Sequence, residues 1–149
     1  MTRRPKVLIA DDEPNILMLT DMLFKDMGCE VVKAVNGQEA IDLSKKEMPD
    51  LIITDVIMPY KTGYEVCKAV RADSTTEHIP IIILSALGEE YNKITGFEEG
   101  ADDYITKPFS IEELKARAKV LLLRSKRPRP QDKLQLAQDT KTAEKETTE

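Results

Sequence analysis

The chain has one histidine, His78, and only two cysteines, Cys29 and Cys67, among 149 residues. A single histidine excludes a histidine-rich metal site and leaves any Ser–His hydrolase only that residue to use. The cysteines lie too far apart for a zinc-binding spacing and are too few for a disulfide framework, so free buried thiols are expected. No apolar run approaches the roughly 18 residues of a membrane helix. The opening "MTRRPKVLIADDEP" is basic, but its apolar stretch is short and turns acidic too soon for a secretory signal. The expected location is cytoplasmic, away from any membrane.

Aromatics and glycines are missing from the end of the chain. All of the four tyrosines, three phenylalanines and six glycines precede Ser125. The following "SKRPRPQDKLQLAQDTKTAEKETTE" has six Lys/Arg against five Asp/Glu, a charge of +1, so the overall −5 leaves −6 on residues 1–124. With almost nothing to bury, residues 125–149 are expected to be a disordered tail or linker. "RSKRPRP" has the charge for nucleic acid but no aromatic residue or following fold, which favours the linker reading. Residues 1–124 suffice for one domain with one core.

Within that domain, short apolar runs alternate with segments of helical spacing. Strands are expected at 6–10, 30–35, 50–56, 79–86 and 102–108. Helices are expected at 15–27, 38–47, 62–72, 89–100 and 110–124, with Gly28 as a stop and Ser110 as a cap. Continuously apolar strands separated by helices imply an α/β protein, a doubly wound five-stranded parallel sheet covered by five helices. Ligands of such sheets bind beyond the carboxyl ends of the strands.

Those ends carry Asp11 and Asp12, then Asp55, Ser85 and Lys107, followed by Pro108. Three carboxylates at one edge repel each other unless a cation compensates, and Mg2+ suits carboxylate, water and phosphate oxygens. Lys107 adds a point charge that can pair with an anionic ligand or with Asp55 itself. A carboxylate can also attack phosphorus, with metal and lysine offsetting charge on the transferring oxygens and Ser85 bonding one of them. Each residue has a plainer reading by itself: Asp12 as a helix cap, Asp55 as a loop acid, Ser85 as a turn residue, Lys107 as a surface lysine. Their joint placement at successive strand ends favours the site.

"IADDEP", "DLIITDVIMPYKTG", "IIILSA" and "GADDYITKPF" resemble, in order and spacing, the receiver domain of two-component response regulators over residues 5–124. The resemblance implies a flavodoxin-like fold with strand order 2-1-3-4-5. It implies Asp55 as phosphoacceptor, and Asp11, Asp12 and the Ile57 backbone carbonyl as Mg2+ ligands beside it. Ser85 becomes the switch hydroxyl, Lys107 the family's lysine with a cis bond to Pro108, and Tyr104 an aromatic switch that turns inward on phosphorylation. A plain core or surface aromatic is the alternative for Tyr104. The implied donor is a phosphohistidine on a sensor histidine kinase or phosphotransfer protein, and the implied output is the face of the fourth helix, fifth strand and fifth helix.

Lys93, Asp102, Asp103, Glu113, Arg117 and Arg124 further resemble the charged positions through which receivers of the winged-helix transcription-factor subfamily pair as homodimers. An ordinary solvated face with i, i+4 pairs explains the same residues. No output module follows Arg124, so the chain reads either as a stand-alone receiver or as part of a larger protein, and nucleic-acid binding would need that missing part. Ile57 and Leu87 are apolar where family members often carry polar groups, which predicts a long-lived aspartyl phosphate. Two other functions compete. A Mg2+-dependent phosphohydrolase with an aspartyl nucleophile, as in the haloacid dehalogenase family, needs an acid where Ile57 stands. A phosphorylation-independent interaction module would have no use for so complete a site.

Overall fold

The computed structural model describes residues 3–86 and 98–124. Strands β1 (Lys6–Ala10), β2 (Glu30–Ala34), β3 (Leu51–Asp55), β4 (Ile81–Ala86) and β5 (Asp103–Lys107) alternate with helices α1 (Pro14–Asp26), α2 (Gly37–Glu47), α3 (Gly63–Ala72) and α4 (Ile111–Arg124). All strand pairs are parallel, in the order β2-β1-β3-β4-β5. This is the doubly wound, flavodoxin-like sheet expected from the sequence. Four helices are described; the expected helix at 89–100 falls almost wholly outside the described residues, as does the 125–149 tail.

The strand pleat sends successive side chains to opposite faces. Val7, Ile9, Leu51, Ile53, Ile82 and Leu84 join Phe24 of α1 and Leu114, Ala118 and Leu121 of α4 in one cluster. Leu8, Ile52, Ile81 and Ile83 join Ala40 and Ile41 of α2 and Val66, Cys67 and Val70 of α3 in the other. Each fully buried Ile or Leu contributes roughly 1.5–3 kcal/mol, so the two cores fix the register firmly. Both cysteines are free and buried, and burial pushes the Cys67 thiol up to about 12, which keeps it unreactive.

Element ends differ from expectation where side chains compete for the backbone. Thr62, expected inside a helix, is a cap and forms a capping box with Glu65, whereas Ser110 caps the last helix as expected, its Oγ accepting the Glu113 N–H at 2.9 Å. Asp50, expected in β3, instead accepts from the guanidinium of Arg3 and the N–H of Lys6. β4 begins only after Pro80, which has no N–H for the ladder although its carbonyl accepts from Ile52.

Candidate functional site

Four neighbouring strands bring their carboxyl ends to one edge. Ala10 pairs with Ala34 and Thr54, and Asp55 with Leu84, so Asp11 and Asp55 leave the sheet side by side. The Asp11 N–H is held by the Ala34 carbonyl at 3.1 Å, and its Oδ1 accepts the Glu13 N–H at 2.9 Å. Oδ1 of Asp55 accepts the Val56 N–H at 2.8 Å, which fixes the carboxylate against its own loop. The start of α3 clasps this loop, since the Gly63 N–H donates to the Val56 carbonyl at 2.8 Å. A Cβ at Gly63 would run into the Asp55 carbonyl oxygen, so only glycine permits that approach.

Lys107 reaches both acids, with Nζ 3.0 Å from Asp11 Oδ2 and 3.3 Å from Asp55 Oδ2. Asp11 is fully buried, Asp55 is 6% exposed, and the Lys107–Pro108 peptide is cis. Burial pushes the Asp55 carboxyl up to about 6; Lys107 pulls it down, and Asp11 pushes it further up. Burial acts to lower Lys107, but the two carboxylates prevail and hold it above its ordinary value.

Asp11, Asp12 and Asp55 each offer a carboxylate oxygen, all within 4.8 Å of one another. Against them stands one ammonium, which leaves two negative charges unbalanced when all three acids are ionised. Two acids are buried and Asp12 is exposed, so the cluster opens to water on one side. Hard oxygen donors, excess negative charge and access to water fit a Mg2+ ion that keeps several waters. The capping reading of Asp12 does not hold. Glu13 is the N-cap of α1, no side chain caps that helix, and Pro14 occupies its first turn.

Ser85 is buried at the end of β4, beside Thr106 in the register, and its hydroxyl donates to the Ala86 carbonyl at 3.3 Å. Ile57 sits two residues beyond Asp55 with its side chain 62% exposed. Tyr104, expected to turn inward only on phosphorylation, is already buried, and its hydroxyl lies 3.3 Å from that of Tyr64 on α3. The inward position supplies a polar partner for its phenol, which an apolar pocket would not. Tyr64 went unsingled in the sequence. Its only signal is a phenol on the buried side of α3, where Phe would satisfy the apolar pattern.

Only part of the expected dimer face comes together. Arg117 pairs with Asp103 at 3.0 Å and with Glu113 at 3.3 Å, and all three belong to the same chain. Asp102 turns away from them: Oδ2 accepts from Arg71 at 2.7 Å and from the Ile81 N–H at 2.8 Å. The reason is local. Arg71 also donates to the carbonyls of Gly100 and Ile79, so Asp102 completes a clamp between α3 and the entry to β5. Arg124 is exposed at the end of α4, and Lys93 and Leu87 lie outside the described residues. Beside Arg117 the same helix exposes Val120 and Leu123, which charge patterning alone does not reveal.

Residues 7–119 match the response regulator receiver domain family. The chain is 47% identical over 122 residues to the probable transcriptional regulator ycf27 of Guillardia theta, covering 82% of this chain and 47% of that protein. It is 42% identical over 129 residues to the alkaline phosphatase synthesis transcriptional regulatory protein PhoP of Bacillus subtilis, covering 87% and 53%. The chain thus spans about half the length of these regulators. Among solved structures, the receiver domain of the Francisella response regulator 1452 superposes with a TM-score of 0.75 at 41% identity, covering 82% of this chain and 99% of that one. Among the described residues no helix is long and apolar enough to cross a membrane.

Proposed function

The chain belongs to the response regulator receiver domain family, and from that membership we propose that Asp55 accepts a phosphoryl group from a phosphohistidine of a sensor histidine kinase or phosphotransfer protein. The role of the family is signalling rather than metabolic catalysis. The observation that carries the proposal is the placement of Asp55: buried at the sheet edge, braced by Val56, beside Lys107 and within metal-ligand distance of Asp11 and Asp12. Asp11, Asp12, Asp55 and the Ile57 carbonyl would hold Mg2+. When bound, the ion would supply positive charge that offsets the negative charge on the transferring oxygens.

The protein's own residues do the rest. The Val56 N–H orients the carboxylate, and Lys107 supplies a fixed positive charge next to Asp55 Oδ2. A phosphorus–oxygen bond forms to Asp55 as the phosphorus–nitrogen bond to the donor imidazole breaks, and the imidazole leaves with a proton. Ser85, at the adjacent strand end, then donates to a phosphoryl oxygen in place of the Ala86 carbonyl, and the change is passed to the face of β5 and the last helix. Asp55 is level with Leu84 and Ile105 in the sheet, and Lys107, two residues further along β5, reaches back to it. That face, with Val120 and Leu123 exposed beside the Arg117 pairs, is the candidate for two-fold pairing of receivers in the cytoplasm.

The test is incubation with acetyl phosphate and Mg2+ followed by intact mass. One added phosphoryl group, absent in Asp55→Asn and in EDTA, is the expected result. No gain in the wild-type chain would leave a phosphorylation-independent interaction module as the better reading.

A further inference from the structure

Tyr64 and Tyr104 are both almost completely buried, 6% and 7% exposed, and come from different elements, α3 and β5. Their hydroxyls lie 3.3 Å apart. A phenol is a poor choice for an apolar helix face unless its oxygen is bonded, because a buried hydroxyl without a partner carries the full cost of its lost hydration. Phenylalanine would fill the same space without that requirement. The pair of hydroxyls therefore has a role beyond filling volume.

Both ends of the pair are held firmly. Tyr104 is fixed by the β4–β5 ladder, opposite Ile83. Tyr64 follows Gly63 in the first turn of α3, which the Thr62–Glu65 capping box closes. Gly63 is the residue whose N–H grips the Val56 carbonyl and whose Cα lies against the Asp55 carbonyl. Val56 in turn donates its N–H to the Asp55 carboxylate. A continuous set of short contacts thus runs from the Asp55 side chain through Val56 and the α3 N-terminus to the Tyr104 hydroxyl. It touches β4 at Val56, whose N–H also donates to the Leu84 carbonyl at 3.2 Å, but does not pass through the Ser85 hydroxyl.

We propose that Tyr64 is a positioning residue whose hydroxyl holds Tyr104 inward before phosphorylation and ties that position to the loop carrying Asp55. The tie to phosphorylation rests on the acceptor role of Asp55; the hold on Tyr104 does not. Tyr104 is then preset inward, and a change at Asp55 alters how firmly it is held by shifting the start of α3. Coupling of this kind needs an element with two arrangements that both ends bias, and the Tyr104 side chain is that element.

Labelling with 3-fluorotyrosine gives one 19F resonance for each of the four tyrosines, assigned by single Tyr→Phe variants. With EDTA and no phosphodonor, Tyr64→Phe is expected to lower the inward-to-outward ratio of Tyr104 about fivefold, the net worth of one neutral hydrogen bond. The Tyr104 resonance should move toward its denatured position and gain a larger solvent-isotope shift. A Tyr104 resonance that moves in neither respect overturns the proposal. Should Tyr64→Phe fail to fold, Tyr104→Phe reads the same bond from the other side, and an unmoved Tyr64 resonance overturns it. Acetyl phosphate with Mg2+ should then shift the Tyr104 resonance more in the wild-type chain than in Tyr64→Phe. Equal shifts in two chains shown by mass to be phosphorylated would refute the tie to Asp55. If neither chain gains a phosphoryl group, the acceptor reading has failed instead, and the donor-free comparison still decides whether Tyr64 holds Tyr104.

Discussion

Two charge clusters of similar composition sit on β5 and its flanks, and they differ in burial. At the carboxyl edge, Lys107 at the end of β5 bridges Asp11 and Asp55 with almost no exposure to water. On the outer face, Arg117 of α4 bridges Asp103 at the start of β5 and Glu113, with Arg117 and Glu113 both 44% exposed. Distances are nearly equal in the two, and in the first, burial moves the Asp55 carboxyl far from its ordinary range. Water screens the second cluster and leaves it adaptable, whereas the first keeps unspent electrostatic energy that a cation or phosphoryl group can use. Distance alone would rank them together; burial separates them.

Removing the lysine should give the largest effect on stability. Lys107→Met strips the counter-charge from two buried carboxylates and is expected to cost about 3 kcal/mol near pH 7 in EDTA, since breaking a buried pair strands its partner. The cost should shrink toward pH 5 as Asp55 takes up a proton. Urea denaturation at the two pH values measures both, and an equal loss at each would break the contrast.

Asp55→Asn should act in the opposite direction. Asp55 keeps its proton up to about pH 6 when folded but only to about 3.9 when unfolded. Between those values the folded chain binds more protons, so the Asp55 contribution to stability is full below about pH 4 and lost as the pH rises through 6. Asparagine removes that loss. The variant should be more stable than wild type by about 1–3 kcal/mol at pH 7 in EDTA, with the gain vanishing near pH 4. Mg2+ should narrow the difference by binding the wild type. A gain independent of pH would mean that repulsion is not its source.

Kinetics sharpen the comparison from the open side of the site. Ile57 stands two residues beyond Asp55 with an exposed apolar side chain, so Ile57→Asn is expected to speed decay of the aspartyl phosphate several-fold, followed by intact mass over time. An unchanged half-life would remove Ile57 from the account. The smallest effect belongs to the exposed cluster. Arg117→Ala should cost at most about 1 kcal/mol and less in high salt, because exposed ion pairs are weak and screened. A loss as large as that of Lys107→Met would erase the distinction drawn above.

The sheet, its order and the edge that carries the site were legible because parallel strands buried on both faces need long apolar runs, and chain order then places Asp11, Asp12, Asp55, Ser85 and Lys107 at one edge. Family motifs added the order of the strands. Choices of hydrogen-bond partner were not legible. Asp102 looks like Asp103 in the sequence, yet one completes the Arg71 clamp and the other meets Arg117. The Tyr104 hydroxyl meets that of Tyr64, 40 residues away, and no local pattern announces a contact between two phenols. Thr62 was read as helix when it is a cap, because a cap and a first turn share the same residue types.

The central claim is that the buried acid at residue 55, and no other carboxylate of the cluster, takes the phosphoryl group. An acyl phosphate is reduced by borohydride to the alcohol, whereas a free carboxylate is not. Treatment with acetyl phosphate and Mg2+, then borohydride, then peptide mass spectrometry should find homoserine at position 55 and aspartate at positions 11 and 12. Homoserine at 11 or 12, or at none of the three while the intact protein carries a phosphoryl group, would contradict the account.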